Sequence, residues 1–232
     1  MLKNSIIDNI GGFGLLIESA IVTIADSMVL EGNTGIEAIG DSQVTIANTW
    51  IGAHATVAVH LGDTVQAILT GNSIYSHAVW GISVVGLAQV RLEDNEFLNN
   101  SRALDVGGEG PQVYLQGNQF KRNGTGIWIL SGQAVIIDNQ LEENWGTAIH
   151  LGGVNTQVTL VKNTISNNQG DGIQLGSILA EISDNKIIDN EGCGIRIFTA
   201  AVAGKDNEIH DNAEGDLRPS DYPWPEGFVK GA

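Results

Sequence analysis

The amino-acid sequence repeats about every 23 residues, and this period restricts the fold more strongly than any other feature. The stretch VRLEDNEFLNN from Val90 and the stretch VYLQGNQFKRN from Val113 share one pattern: an alternating apolar pair, an Asn, an apolar residue two positions later and a second Asn five positions later. A period that extends over nearly the whole chain predicts a solenoid, in which each repeat forms one coil. The first Asn position is occupied by Asn4, Ser27, Thr49, Asn72, Asn95, Asn118, Asn139, Asn163, Asn185 and Asn207.

Two segments of each repeat alternate between apolar and other residues. The first is of the Val-x-Ile type, as in Val90 and Leu92, and the second usually follows a Gly, as in Ile127 and Ile129. Alternation with a period of two is typical of β-strands, whose successive side chains point to opposite faces of a sheet. Three short strands per repeat would stack in coils about 4.8 Å apart. The sequence therefore predicts an all-β parallel β-helix of about ten coils.

The Asn positions are predicted to form ladders along the solenoid. In stacked coils, equivalent Asn side chains can hydrogen-bond to each other and to the turn backbone, and Asn also tolerates left-handed backbone angles. The second Asn position contains His54 and His77 on neighbouring coils. Two histidines without a third ligand do not make a metal site, so we expect both to replace Asn as hydrogen-bonding turn residues.

The repeat resembles the V-x-I-x-x-N-x-I-x-x-N-x-x-x-G-I-x-I pattern of the right-handed parallel β-helix proteins in the pectate-lyase-like superfamily. The resemblance extends from residue 1 to about residue 212. It implies a right-handed parallel β-helix and an extracellular, cell-surface or periplasmic location. It also implies that functional residues lie on the outward face of the Gly-Ile-x-Ile sheet and in the turns beside it. The activity stays open, because this fold hosts lyases, hydrolases, epimerases and non-catalytic proteins.

The whole chain, 1–232, is predicted to form a single domain with repeat coils at 1–212 and an irregular C-terminal cap at 213–232. The C-terminal segment breaks the period and contains Tyr222, Trp224 and Phe228, whose rings we expect to cover the last coil. The N-terminal segment has no comparable cap. Self-association through the open N-terminal coil is therefore also predicted.

The charge of the chain restricts its partners. Lys and Arg number 11 against 27 Asp and Glu, which gives a formal net charge of −16. Nucleic acid and anionic membrane surfaces normally require a basic face, so neither is an expected partner. No apolar run is long enough to cross a membrane, and no signal peptide is recognisable in this sequence.

The single cysteine, Cys193, excludes an internal disulfide and a Cys-based zinc site. Its position in a turn before Gly194 predicts a small, partly buried residue and not a nucleophile, because the sequence places no His or Asp to activate it.

A row of outward side chains is the predicted ligand-binding site, with Asp105, Trp128, His150, Gln174 and Arg196 on consecutive coils. Five such residues would extend over about 19 Å, enough for a few sugar units. Trp128 is expected to stack on a sugar ring while its neighbours hydrogen-bond to hydroxyl groups. The row as the sequence predicts it is Glu37, Ser83, Asp105, Trp128, His150, Gln174 and Arg196.

Catalysis by this row is not the favoured interpretation. Glycoside hydrolysis requires two carboxyl groups roughly 5 to 9.5 Å apart, whereas Glu37 and Asp105 lie three coils, or about 14 Å, apart. The motifs of polygalacturonases and of alginate epimerases are absent. His150 and Arg196 remain the candidates for the base and the carboxylate-binding group of a uronate lyase. Their separation of about 10 Å and the short turns argue against this role.

We expect no cofactor. Asp184 and Asp206 lie one coil apart and are the candidates for a Ca²⁺ site, although solvated turn carboxylates are the favoured interpretation. The favoured function is a non-catalytic module that presents a flat outward sheet to a carbohydrate or a surface protein. The alternatives are a polysaccharide-active enzyme of the uronate lyase, hydrolase or epimerase type, and a purely structural spacer.

Overall fold

A computed structural model describes residues 1–8, 10–218 and 228–230, and this part of the chain is a parallel β-solenoid of about ten coils without a helix. Each coil contributes a strand to sheet 1, a short strand to sheet 2 and a strand to sheet 3. Sheet 1 is continuous and ten-stranded, and its strands are β1 (Leu2–Lys3), β4 (Ile21–Ala25), β6 (Gln43–Ala47), β8 (Gln66–Thr70), β11 (Gln89–Glu93), β14 (Gln112–Gln116), β17 (Gln133–Ile137), β20 (Thr156–Val161), β23 (Ile178–Ser183) and β26 (Ala201–Lys205).

Sheets 2 and 3 are joined, because β5 (Met28–Ile39) and β7 (Trp50–Leu61) run through both of them. The other strands of sheet 2 are β2 (Ile6–Ile7), β9 (Ser73–Tyr75), β12 (Glu96–Leu98), β15 (Gln119–Lys121), β18 (Gln140–Glu142), β21 (Thr164–Ser166), β24 (Lys186–Ile188), β27 (Asn207–His210) and β29 (Phe228–Lys230). The other strands of sheet 3 are β3 (Ile10–Glu18), β10 (Trp80–Val84), β13 (Arg102–Val106), β16 (Thr125–Ile129), β19 (Ile149–Leu151), β22 (Ile173–Leu175), β25 (Ile195–Ile197) and β28 (Leu217–Arg218).

All strand pairs are parallel, and equivalent repeat positions face each other on neighbouring coils, as Leu92 faces Leu115. The inward side chains form one continuous apolar core. Phe97 and Phe120 stack within it, with ring centroids 4.6 Å apart. Gly81 in β10 lies where the coils approach closely, since a Cβ there would lie 2.5 Å from the carbonyl oxygen of Ala103. The predicted all-β solenoid is confirmed.

Two Asn ladders connect the coils, as predicted. The backbone amide and Nδ2 of Asn118 both donate to Oδ1 of Asn139 at 2.9 Å, and the same Nδ2 donates to the carbonyl oxygen of Leu92 at 2.9 Å. The same pattern links the first ladder from Asn72 to Asn207. The second ladder consists of Asn100, Asn123, Asn144, Asn168, Asn190 and Asn212.

The left-handed backbone angle belongs to the residue before each ladder position and not to the ladder Asn itself. Asp94 has φ 53°, Asp138 has φ 55°, and Asp184 and Asp206 continue this column. A short polar side chain tolerates this conformation well, which explains the aspartates at these positions. None of the ladder Asn residues from Asn72 to Asn212 has a positive φ, so the preceding residue, and not the ladder Asn, takes the left-handed conformation that Asn also tolerates.

His54 and His77 replace Asn at the start of the second ladder, as predicted. Their rings stack with centroids 5.3 Å apart, and the His54 amide donates to Nδ1 of His77 at 3.3 Å. Nε2 of His77 lies 3.3 Å from the carbonyl oxygen of Ile51. Nδ1 of His54 is buried without a partner among the described residues. Burial lowers the pKa of both rings, that of His77 to about 4.

The first coil is offset by one residue from the predicted repeat. Ser5, and not Asn4, donates its amide to Ser27, because Asn4 takes the left-handed position with φ 49°. Ile7 consequently pairs with Val29, whereas Ile6, predicted to face inward, is 71% exposed.

The two ends of the solenoid differ. At the C-terminal end, β29 pairs with β27 of the last coil, so a segment of the predicted cap adds a strand there. Tyr222 and Trp224 lie outside the described residues. At the N-terminal end, β1 pairs with β4 and with no other strand of the described residues, and self-association there stays a prediction.

Replacement of Asn139 by Leu tests the ladders. The change leaves the Asn118 amide and side chain without their acceptor in a buried turn, and each buried unpaired group costs about 1 to 3 kcal/mol. We expect a clear fall in the free energy of unfolding, measured by urea titration. Gln140→Leu is the control, because Gln140 is the exposed neighbour. Equal stability of the two variants would contradict the ladder.

His77→Asn tests the stacked histidines. Unfolded His77 takes up a proton below about pH 6.5, whereas the folded ring resists protonation down to about pH 4. The unfolded state therefore binds more protons between these values, so the free energy of unfolding decreases as the pH falls through this window, by up to about 3 kcal/mol for this residue. We expect Asn to maintain the ladder and to flatten the pH dependence. An unchanged slope would contradict the assignment.

Candidate functional site

The structure brings the five predicted site residues together on sheet 3. Register pairs run without a gap from Asp105 to Trp128, His150, Gln174 and Arg196. All five side chains are half-buried. We call this set, with the side chains bonded to it, the sheet 3 stripe. It occupies a flat face between short turns, as the sequence predicts.

The row extends further than predicted. His60 lies between Glu37 and Ser83, and Arg218 follows Arg196 on the next coil. His60 was missed because its strand has no Gly-Ile start, although the alternation in VAVHL marks its outward position. Ser83 is 3% exposed and so contributes little surface.

Both faces of the Trp128 ring are covered by the protein. The Arg102 guanidinium lies 4.2 Å from the ring centroid and comes from the preceding coil, while the His150 ring stacks at 3.7 Å from the following coil. Arg102 also forms an ion pair with Asp105. Trp128 therefore presents an edge to solvent and has no free face for a sugar ring, unlike the stacking that the sequence suggested.

The second half of the sheet 3 stripe is one hydrogen-bonded chain. Nδ1 of His150 lies 3.0 Å from Oε1 of Gln174, whose Nε2 donates to Asp171 at 2.7 Å. Arg196 donates to both oxygens of Asp171, at 2.7 and 3.0 Å, and to Glu214 at 2.8 Å. This bidentate pairing holds the guanidinium in a fixed orientation.

Sequence reasoning missed Arg102, Asp171 and Glu214. Arg102 and Asp171 each lie three residues before a predicted stripe residue. A polar residue at that position could therefore have indicated both of them from the sequence. Glu214 belongs to the segment assigned to the cap. Only the packing of neighbouring coils places it beside Arg196.

Local contacts set the protonation of the sheet 3 stripe. Burial lowers the pKa of His150, the nearby Arg102 charge lowers it further, and the Gln174 contact opposes them only in part. Burial alone would raise the pKa of Asp171, but hydrogen bonds from Arg196, the Cys193 amide and Gln174 outweigh burial and lower it. The hydrogen bond to Asp171 raises the pKa of Arg196. His150 is thus neutral and Asp171 ionised at neutral pH.

One group of potential metal ligands exists among the described residues, formed by Asp171, Cys193 and Glu214. Arg196 already forms ion pairs with both carboxylates, so a cationic side chain lies where a metal ion would bind. Asp184 and Asp206 lie in neighbouring left-handed turns and belong to no group of three such ligands in the described part of the chain.

Cys193 is buried, and its environment differs from the one expected. Two acids, Asp171 and Glu214, lie close to Sγ although the sequence suggested none. Burial and the negative charge of these acids raise the pKa of the thiol to about 11. A neutral, enclosed thiol is a poor nucleophile, which supports the prediction of a structural residue.

With the fold and the site described, the chain can be placed in a family. The model of the right-handed β-helix region family matches residues 1–141 and 115–218, so the chain belongs to this family. It is also 28% identical over 127 residues to the uncharacterized protein YclG of Bacillus subtilis (strain 168), a match that covers 53% of this chain and 22% of YclG.

Two solved structures have a similar fold. The periplasmic alginate epimerase AlgG has a TM-score of 0.63 at 15% identity, covering 90% of this chain and 64% of that chain. PfbA, a surface adhesin of Streptococcus pneumoniae, has a TM-score of 0.54 at 16% identity, covering 92% and 60%. At these identities the likeness shows the fold alone. The chain spans about a fifth of YclG and less than two thirds of either structure.

The Cys193 thiol offers a direct test of the site's packing. We expect no reaction of the folded protein with a disulfide reagent at about pH 8, because the thiol is buried and its pKa lies well above this value. After unfolding in guanidinium the same thiol should react fully. Fast reaction of the folded protein would contradict the packing around Asp171.

Proposed function

We propose that this protein is a non-catalytic carbohydrate-binding module that uses the sheet 3 stripe to bind an uncharged glycan. The observation that carries the proposal is the single network that fixes the stripe side chains from Arg102 to Glu214. Side chains already held in place lose little conformational freedom on binding, which favours affinity. Their outer edges offer hydrogen-bond donors and acceptors to hydroxyl groups.

The charge of the sheet 3 stripe supports an uncharged ligand. Each guanidinium is paired, Arg102 with Asp105 and Arg196 with Asp171 and Glu214. The network thus contains one more carboxylate than guanidinium, in a chain with a net charge of −16. A polyuronate would meet repulsion from this network, whose two guanidinium groups are already paired, whereas this charge balance would not oppose the binding of a neutral glycan.

The same pairings argue against catalysis. His150 and Arg196 are the candidate lyase residues, but Arg196 is paired with two carboxylates and His150 contacts Gln174. A group that must neutralise a substrate carboxylate would first have to leave its own partners, which costs free energy. The flat face also lacks the deep cleft that small-substrate chemistry usually needs.

An extracellular or periplasmic location agrees with this function, and the periplasmic and surface-exposed neighbours of similar fold support it.

A polysaccharide-active enzyme remains the second candidate, because the neutral His150 is connected through Gln174 to an ionised Asp171. Such a chain could orient an imidazole base.

A glycan array with neutral and acidic glycans tests the proposal. We expect binding to neutral glycans and a loss of affinity of at least tenfold in Trp128→Ala, because removal of the ring frees Arg102 and His150 from their positions. Trp145→Ala is the matched control, since Trp145 is 55% exposed and outside the stripe. Equal loss in both variants would contradict the site.

The enzyme alternative is tested on the same samples. Incubation with polyuronates is followed by ultraviolet absorbance, which detects the unsaturated product of β-elimination. Absorbance that disappears in His150→Ala would replace the binding module by a lyase. If the protein binds no glycan and produces no ultraviolet absorbance, a purely structural spacer becomes the favoured function.

A further inference from the structure

A second ordered surface lies on the outward face of sheet 1, away from the sheet 3 stripe. Six consecutive coils place a Gln at the same register position of this sheet, and all six side chains are exposed. At about 4.8 Å per coil, the row is about 24 Å long. We call it the glutamine row, and it consists of Gln43, Gln66, Gln89, Gln112, Gln133 and Gln157.

The fold does not require Gln at this position. The equivalent residue is Ile21 on the preceding coil, and Leu179 and Ala201 on the following coils, so the strands form equally well without an amide. Unlike the buried Asn side chains, none of the six Gln side chains hydrogen-bonds to another described residue. The row therefore adds unpaired donors and acceptors to the surface without a structural role.

The glutamine row forms one wall of a long shallow groove. Five of its six members line this groove, from Gln43 to Gln133. The neighbouring outward row supplies Thr45, the exposed apolar side chain of Ile68, and Tyr114. The groove thus combines amides, a hydroxyl group and apolar surface along one direction.

The groove has almost no net charge although the chain is strongly acidic. None of its lining residues is acidic, and its single cation, Arg91, forms an ion pair with Glu93 at the end of the same strand. The Arg91 guanidinium also lies 4.4 Å from the Tyr114 ring centroid. A surface with almost no net charge on a chain of net charge −16 favours an uncharged ligand.

From these features we propose that the groove of the glutamine row binds an extended, uncharged polysaccharide. Such a polymer repeats its hydroxyl groups along its axis at a spacing comparable with that of the coils, so successive amides meet equivalent groups. Each Gln both donates and accepts hydrogen bonds, as sugar hydroxyl groups do. The apolar side chains can contact the faces of the sugar rings.

A second copy of this chain is the less favoured occupant. Two molecules of net charge −16 repel each other at any shared face, and the groove has no free cation to offset this. A neutral polymer meets no such repulsion.

Because the two outward faces belong to different sheets, the protein would bind two separate polysaccharide strands. This binding goes beyond the function proposed for the sheet 3 stripe and does not depend on it.

The test measures binding of the whole protein to soluble neutral glucans and xylans by affinity electrophoresis, with polygalacturonate as the charged comparison. The variant is the triple change Gln66→Ala, Gln89→Ala and Gln112→Ala. The control changes three exposed glutamines outside sheet 1, Gln119→Ala, Gln140→Ala and Gln169→Ala. We expect affinity for a neutral polymer to fall at least tenfold in the first variant and to be unchanged in the control.

Trp128→Ala separates the two surfaces in the same assay. Both triple variants are also made in Trp128→Ala, so that the sheet 3 stripe does not contribute. Binding that persists in Trp128→Ala and is lost when the sheet 1 changes are added supports the glutamine row. Equal binding by the triple variant and its control overturns the proposal. The proposal is also overturned if no neutral polymer slows the migration of the wild-type protein. The oligomeric state is measured in parallel by sedimentation. A dimeric wild-type protein and a monomeric triple variant would assign this face to self-association and would also overturn the proposal.

Discussion

In-register stacking of identical coils is the constraint on which the rest of this structure depends. Within the ladders, Oδ1 of an Asn such as Asn139 accepts hydrogen bonds from two donors of the preceding coil, and its Nδ2 donates to Oδ1 of Asn163 on the following coil. A buried turn that water does not reach is thereby satisfied entirely by protein groups. The ladders fix the register of the coils, and a fixed register aligns every outward side chain into a row.

Both proposed surfaces are consequences of that alignment, but they use it differently. On the sheet 3 stripe, neighbouring coils place unlike side chains together, so Arg102, Trp128 and His150 stack and Arg196 pairs with Asp171. In the glutamine row, neighbouring coils place like side chains together and leave them unpaired. The side chains of the sheet 3 stripe are held in place by hydrogen bonds and ion pairs to each other. The side chains of the glutamine row are alike and are available to a ligand with a repeating structure.

The sequence predicted the site residues better than their chemistry. The row from Asp105 to Arg196 followed from alternation alone, because strand periodicity decides which side chains point outward. The covered faces of Trp128 did not follow, since they depend on Arg102 and His150 from the coils on either side. The acids beside Cys193 were missed for the same reason, because Asp171 and Glu214 come from the neighbouring coils.

The sequence by itself determined the number of coils, the two ladders and, after the first coil, the inward or outward direction of the strand residues, because a repeat of about 23 residues with internal alternation favours one stacked arrangement. The tertiary structure alone decided the register of the first coil, where Asn4 takes the left-handed position. It also decided which charges pair. Both outcomes depend on contacts between neighbouring coils. Residues about 23 positions apart in the sequence make these contacts only when the coils stack.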